Sequence, residues 1–308
     1  MSAAVTYRVK HETLYKYSAE VVHAHHLLHL VPRAMAHQAC SEQSIQITPE
    51  PSGSLDAIDA FGNPLRRLEF SRPHQELSVT SEMKVEVRER RATDAPTESW
   101  ERARNRLLYT ARPPGNEQLD AIRYRVESPY VRIKQAFTEY GADCFVTGRP
   151  LLAAADALMM KLYREMKYTP GVTDISTPLL QVLEEKRGVC QDYAHLMIAC
   201  LRARGLAARY VSGYLRTNPR PGESQLVGAD ASHAWVAAFC PPLGWVEFDP
   251  TNGVRAGLDH IAIAWGRDFG DVSPLRGVIL GGGSHTLAVR VHVQNMTSSA
   301  AGRTESAD

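Results

Sequence analysis

"KRGVCQDYAHLMIACLRARGL", residues 186–206, puts a cysteine where a glycine-containing turn becomes a strongly helical stretch. Buried cysteines usually sit inside apolar runs, as Cys200 does here. Cys190 sits instead at the mouth of a helix that closes with Arg202, Arg204 and Gly205, a cationic last turn followed by a C-cap glycine. A thiol at a helix N-terminus meets unpaired N–H groups and the positive end of the helix dipole. Both favour thiolate over thiol, and the same N–H groups can hold an oxyanion. A small residue ahead of it lets a substrate carbonyl approach the backbone. Taken alone, the segment fits a helix-capping cysteine as well as a nucleophile, and the rest of the chain decides between them.

Upstream, "LLAAADALMMKLYREMKY" from Leu151 has helical apolar spacing and stops at "TPG"; "TPLLQVLEEKR" is a second, shorter helix. Downstream, "AARYVSGYL", "HAWVAAF" and "WVEFDP" read as strands, and "RGVILGG" with "TLAVRVHVQ" as a final strand pair. Residues 1–92 alternate as strands in "VTYRVKHETLYKY" and "SVTSEMKVEVRERR", punctuated by "SIQITPEPSG" and "DAFGNP". The pattern predicts an α+β protein: a small N-terminal antiparallel β-sandwich over 1–92, a connector of turns and short helices over 93–150, a helix-and-sheet core over 151–295, and a disordered polar tail over 296–308. No internal repeat is present.

The 308 residues, 44% hydrophobic and 22% charged, describe an ordinary globular protein with ample core. A net charge of +1 offers no electrostatic basis for a nucleic-acid or membrane partner, and no apolar run approaches the roughly 20 residues that span a bilayer. The N-terminal stretch has no signal-peptide core or cleavage site, so the expected compartment is the cytoplasm of a bacterium-like cell. Five scattered cysteines without C-x-x-C spacing fit neither a disulfide framework nor a structural zinc site.

A nucleophilic cysteine needs a base, and the base an orienting group. Five of the twelve histidines (His23, His25, His26, His29 and His37) crowd "VVHAHHLLHLVPRAMAH"; with no acid or cysteine within that segment, the run reads as a solvated face rather than a metal cluster. His195, five positions after Cys190 on one helix, points away from the thiol and reads as a packing residue. His233 opens "HAWVAAF", and the turn "CPPLG" returns the chain through "WVEFDP". A hairpin there brings His233 and Asp249 within about a residue of direct cross-strand register. Asp249, held extended before Pro250, can accept the second imidazole N–H.

"GVCQDYAH", "HAWVAAF" and "GWVEFDPTNG", in the order Cys, His, Asp, resemble the transglutaminase-like superfamily. The opening "YRVKHETLYKYSAEVVHAHHLLHLVPR" and the closing "GRDFGDVSPLRGVILGGGSHTLAVRVHV" resemble its bacterial cysteine-peptidase branch with an N-terminal β-domain. The resemblance implies a papain-like core in which Cys190 is the nucleophile, His233 the general base and acid, and Asp249 the orienting carboxylate. It offers Tyr168, Gln191 and Trp235 as candidates for an oxyanion or substrate pocket. No dense acidic loop of the kind that serves calcium in animal members is present, so the expected chemistry needs no metal or other cofactor.

The implied reaction is thiol acyl transfer on the amide bonds of a peptide or protein. Hydrolysis by a cysteine peptidase or amidase is the favoured outcome, since nothing announces an amine channel. A protein-glutamine gamma-glutamyltransferase would use the same triad. From another class, a retired enzyme fold would serve as a peptide- or protein-binding scaffold, although a scaffold has no need of all three residues.

Overall fold

The computed structural model describes residues 3–90, 97–108, 115–216, 226 and 232–296. The N-terminal alternation produces β1 (Ala4–Leu28), β2 (Gln38–Thr48), β3 (Gly53–Ile58), β4 (Pro64–Phe70) and β5 (His74–Arg88). β1 is long enough to serve two sets of neighbours. Its first half pairs with β5, and its second half with β4. The expected connector supplies three short helices, α1 (Trp100–Arg106), α2 (Asn116–Ile122) and α3 (Gln135–Tyr140).

The core begins with α4 (Leu151–Glu165), which buries Leu151, Ala154, Ala155, Leu158 and Leu162 on one face. After it come β6 (Lys167–Tyr168), α5 (Leu179–Glu185), β7 (Arg187–Gly188) and α6 (Cys190–Ala203). The chain then forms β8 (Ala208–Leu215), β9 (His233–Cys240), β10 (Gly244–Asp249), β11 (Val254–Arg255) and β12 (His260–Gly266), an antiparallel sheet in the order β11-β10-β9-β8-β12. α6 is the central helix, buried at every position from Asp192 to Arg202. It lies against Ala234, Val236, Ala238 and Cys240 of β9, with α4 completing the cluster. With sheet on one side and helices on the other it is enclosed all round, and its polar residues Asp192, His195 and Arg202 are hydrogen-bonded inside.

After α7 (Phe269–Val272), β13 (Leu275–Gly281) and β14 (His285–Asn295) leave the core. Both pair with β1, making the N-terminal sheet seven-stranded and curling it into a half-barrel. The terminal strand pair, expected at the end of the core segment 151–295, therefore joins the sheet begun by residues 1–92. The tail beyond Met296 lies outside the described residues. Among the described residues no helix is long and apolar enough to cross a membrane.

The histidine run is not one solvated face. Strand alternation turns His26 inward, where it is buried, and His29 is buried just past the strand end, bonded to Asp59. His23 and His25 lie on the outer face.

Candidate active site

Cys190 is the first residue of α6, and the turn before it is built around Asp192. The Asp192 carboxylate accepts the Val189 N–H at 2.8 Å and the Thr173 hydroxyl at 2.7 Å. A Cβ on Gly188 would lie 2.5 Å from Asp192 Oδ2, so glycine is required where the cap folds back. The N–H groups of Asp192 and Tyr193 both turn to the Val189 carbonyl. Those of Cys190 and Gln191 have no intrahelical acceptor and face outward from the helix mouth.

The other cysteines are placed differently. Cys144, Cys200 and Cys240 are buried, and burial pushes the thiols of Cys144 and Cys240 up to about 11 and about 12 and that of Cys200 higher still. Cys40 is half-buried on β2, far along the chain from α6.

His233 begins β9 and Asp249 ends β10. The observed ladder pairs Val236 with Phe248, and one step further puts Asp249 across from Trp235. His233 and Asp249 are thus diagonal neighbours, not within a residue of direct register. Diagonal partners still share a face and lie within reach of a ring, and His233 Nε2 donates to Asp249 Oδ2 at 2.9 Å. Both side chains are fully buried. Burial alone would lower the pKa of His233, but the Asp249 carboxylate, and behind it the Cys190 sulfur, raise it well above its ordinary value. The remaining ring nitrogen, Nδ1, is buried, and the Cys190 sulfur is the neighbour that acts on the ring besides Asp249. It is therefore the nitrogen left for the thiol.

Asp249 is held from every side. Its Oδ1 accepts the N–H groups of Thr251 (3.0 Å) and Asn252 (3.2 Å) in the turn that "DPTNG" signals. Its Oδ2 accepts the Asn252 side-chain amide at 2.7 Å and, besides His233, the Nε2–H of His260 at 3.2 Å. Gly257 N–H donates to His260 Nδ1, which fixes the tautomer that points Nε2–H at the carboxylate. Burial would raise the carboxyl, but the two histidines outweigh it and hold Asp249 far below the usual carboxylate range.

Trp235 stacks on His233 and meets His260 edge-on, with ring centroids 6.1 and 5.3 Å away. A Cβ on Gly213 would come within 2.5 Å of the indole, so that glycine makes the room in which Trp235 lies over β8. Fully buried, Trp235 is the wall behind the imidazole and lines no open pocket. Its Nε1–H donates at 2.7 Å to Glu247, a buried carboxylate that also pairs with Arg90 at 3.1 Å. Arg90 in turn bonds the Gly257 carbonyl beside His260.

Burial would raise the Glu247 carboxyl, but Arg90 and His37 pull it down to about 2. A depressed carboxylate contributes stability above its unfolded pKa and loses it as pH falls through the folded one. Glu247→Gln is therefore expected to destabilise the protein at neutral pH, by about 3 kcal/mol at most. It should also flatten the loss of stability between about pH 5 and pH 2. Urea denaturation at stepped pH checks both, and an acid limb as steep as the wild type's would contradict the assignment.

Gln191 and Asp192 border a cavity of about 280 Å³ whose walls include Tyr130, Phe137, Ile175 and Leu180. Tyr168 pairs with Gly188 across the two-residue strands β6 and β7, just upstream of Cys190, and does not line that cavity. His195 is the packing residue expected. It stacks on Tyr130, accepts the Phe269 N–H at 3.1 Å, and is pushed down to about 3 by burial. His260, Asn252 and Glu247 were not indicated by the sequence. Asn252 alone had a signal, inside the turn motif; His260 and Glu247 gain their places from strand neighbours distant in sequence.

Residues 138–250 match the family model of the transglutaminase-like superfamily, and residues 7–86 that of the bacterial transglutaminase-like N-terminal region. An uncharacterized protein of Mycobacterium tuberculosis is 37% identical over 287 residues, covering 91% of this chain and 89% of its own length. The chain belongs to the transglutaminase-like superfamily. A protein-glutamine gamma-glutamyltransferase of Pseudomonas aeruginosa is 30% identical over 140 residues, which is 40% of this chain and 21% of that protein. The solved structure of a candidate cysteine protease from Cytophaga hutchinsonii shares the fold, with a TM-score of 0.74 at 20% identity over 96% of this chain and 92% of that one.

Proposed function

We propose that the chain catalyses thiol-dependent acyl transfer on peptide amide bonds, with Cys190 as nucleophile, His233 as proton carrier and Asp249 as the group that orients it. The observation that carries this reading is the buried imidazole. Nε2 is committed to a carboxylate already fixed by four further donors, and Nδ1 is left to the helix-mouth thiol of Cys190, whose sulfur also raises the ring's pKa.

In the reaction, the thiol proton passes to His233 Nδ1. The sulfur adds to the amide carbonyl carbon, and the oxyanion is received by the N–H groups of Cys190 and Gln191. As the tetrahedral adduct collapses, the C–N bond breaks and the amine or ammonia leaves with the proton from Nδ1. The thioester is then attacked by water, whose proton goes to Nδ1 and returns to the departing sulfur; the product is a carboxylic acid. Hydrolysis is the favoured outcome because nothing among the described residues announces an amine channel that would keep water out. A primary amine in place of water gives transamidation, a reading favoured by the likeness to the Pseudomonas aeruginosa gamma-glutamyltransferase.

A panel of peptides, glutamine-containing ones among them, incubated with and without a primary amine and read by mass spectrometry, tests the proposal. Chain cleavage or deamidation supports hydrolysis, and amine incorporation supports transamidation. Peptides that bind but stay unchanged in every arm would overturn the enzyme reading in favour of a scaffold.

A further inference from the structure

The outer face of the half-barrel holds a cluster that the acyl-transfer chemistry does not use. His23 and His25 are two apart on β1, so their side chains stand on the same face. β4 runs alongside, and Glu69 is the direct cross-strand partner of His25. The histidine segment itself contains no acid; Glu69 is supplied by pairing with a strand more than forty residues away. His23 Nε2 lies 3.1 Å from His25 Nε2 and 3.9 Å from Glu69 Oε1. The three ligand atoms all fall within 4.8 Å of one another.

We infer that His23, His25 and Glu69 form a surface binding site for a divalent transition-metal ion of the Zn²⁺ type. Metal–nitrogen bonds of about 2.0–2.1 Å put neighbouring ligand atoms of a tetrahedral ion roughly 3.3 Å apart. The observed separations bracket that value, so the ion needs only a small swing of the Glu69 side chain. The swing is open, because Glu69 is exposed and its partner on β3 is Gly53, which has no side chain. Two imidazoles and one carboxylate select zinc-like ions over Mg²⁺ or Ca²⁺, which require an oxygen shell. Positions left open on the ion face outward and are filled by water. On the other flank of β1, Val278 and Leu280 of β13 stand opposite His25 and His23, 77% and 65% exposed, and offer no competing ligand.

Cys190 and His233 are also metal-binding side chains, so the test must separate the two places. Calorimetric titration of the tag-free chain with Zn²⁺ is expected to give one saturable equivalent. It should weaken about tenfold or more in His23→Asn and in His25→Asn, weaken less in Glu69→Gln, and be retained in Cys190→Ala. The three outer-face variants replace partly or fully exposed side chains, and their thermal midpoints should match the wild type's. Zinc-edge X-ray absorption of the loaded protein should show nitrogen and oxygen neighbours without sulfur. Absence of saturable binding would overturn the site, as would full affinity in both histidine variants or in Glu69→Gln. Loss of binding in Cys190→Ala alone, with a sulfur neighbour, would place the ion at the thiol instead.

Discussion

Cys190→Ala is expected to abolish amide turnover, on the order of a millionfold as for other nucleophiles removed from a triad, with little change in the thermal midpoint. The side chain is half-buried at the first position of α6, and the cap that holds the helix mouth is made by Asp192, Thr173 and the Val189 backbone, not by the thiol. The fold therefore does not depend on the sulfur. No other thiol can replace it, because Cys144, Cys200 and Cys240 are buried with their thiols pushed up, and Cys40 lies on the N-terminal sheet. Turnover retained in this variant, measured on a peptide that the wild type processes, would remove Cys190 from the reaction.

Asp249→Asn is expected to lower kcat/KM by about 10² to 10⁴, and it should also destabilise the protein. From sequence, an isosteric amide at the end of a hairpin would cost rate alone. The structure changes that expectation, because five donors converge on this carboxylate: two backbone N–H groups on Oδ1, and His233, His260 and the Asn252 amide on Oδ2. Turned toward Oδ1, its NH₂ meets two backbone N–H groups that only donate; turned toward Oδ2, it meets the Asn252 amide NH₂, and His233 or His260 can accept only by giving up the tautomer seen here. Each unsatisfied buried donor costs about 1–3 kcal/mol.

The pH profile separates the two effects. With Asp249 present, His233 keeps its proton well above its ordinary range. A raised pKa means the imidazolium is lost only as pH rises through that higher value. Without the carboxylate, burial dominates and the proton is lost at lower pH, so the alkaline limb of kcat/KM should move down. Rates corrected for the folded fraction that stay within a few-fold of wild type, with an unmoved alkaline limb, would mean that another group orients the imidazole.

How far the site could be read before the structure follows from the range of the interactions involved. Cys190 at a helix mouth and the His233–Asp249 hairpin are local features: a glycine turn, a helical apolar pattern, and two strands joined by "CPPLG". Local signals are what sequence patterns carry. The register was legible only approximately, because the turn sets it and a two-residue shift along the ladder keeps the same faces together; the observed pairing makes the two residues diagonal. His260 was not legible, since it reaches Asp249 from β12, at the opposite edge of the sheet from β11. Glu247 was not either, because its role depends on Trp235 lying over Gly213 and on Arg90 from the end of the N-terminal segment. The same reasoning covers β13 and β14. Their strand character was plain in "RGVILGG" and "TLAVRVHVQ", but their partner is β1, at the far end of the chain, and alternation carries no partner's name.

The measurement closest to the central claim is the alkylation rate of each cysteine by iodoacetamide, followed by peptide mass spectrometry on wild type and His233→Ala. Cys40 is an internal reference: like Cys190 it is half-buried, but burial pushes its thiol up. An activated pair predicts that at about pH 6.5, well below the ordinary thiol range near 8.5, Cys190 labels much faster than Cys40. His233→Ala should remove most of that advantage and leave Cys40 unchanged. Cys190 labelling no faster than Cys40, or equally fast with and without His233, would contradict the thiol–imidazole pair on which the proposed function rests.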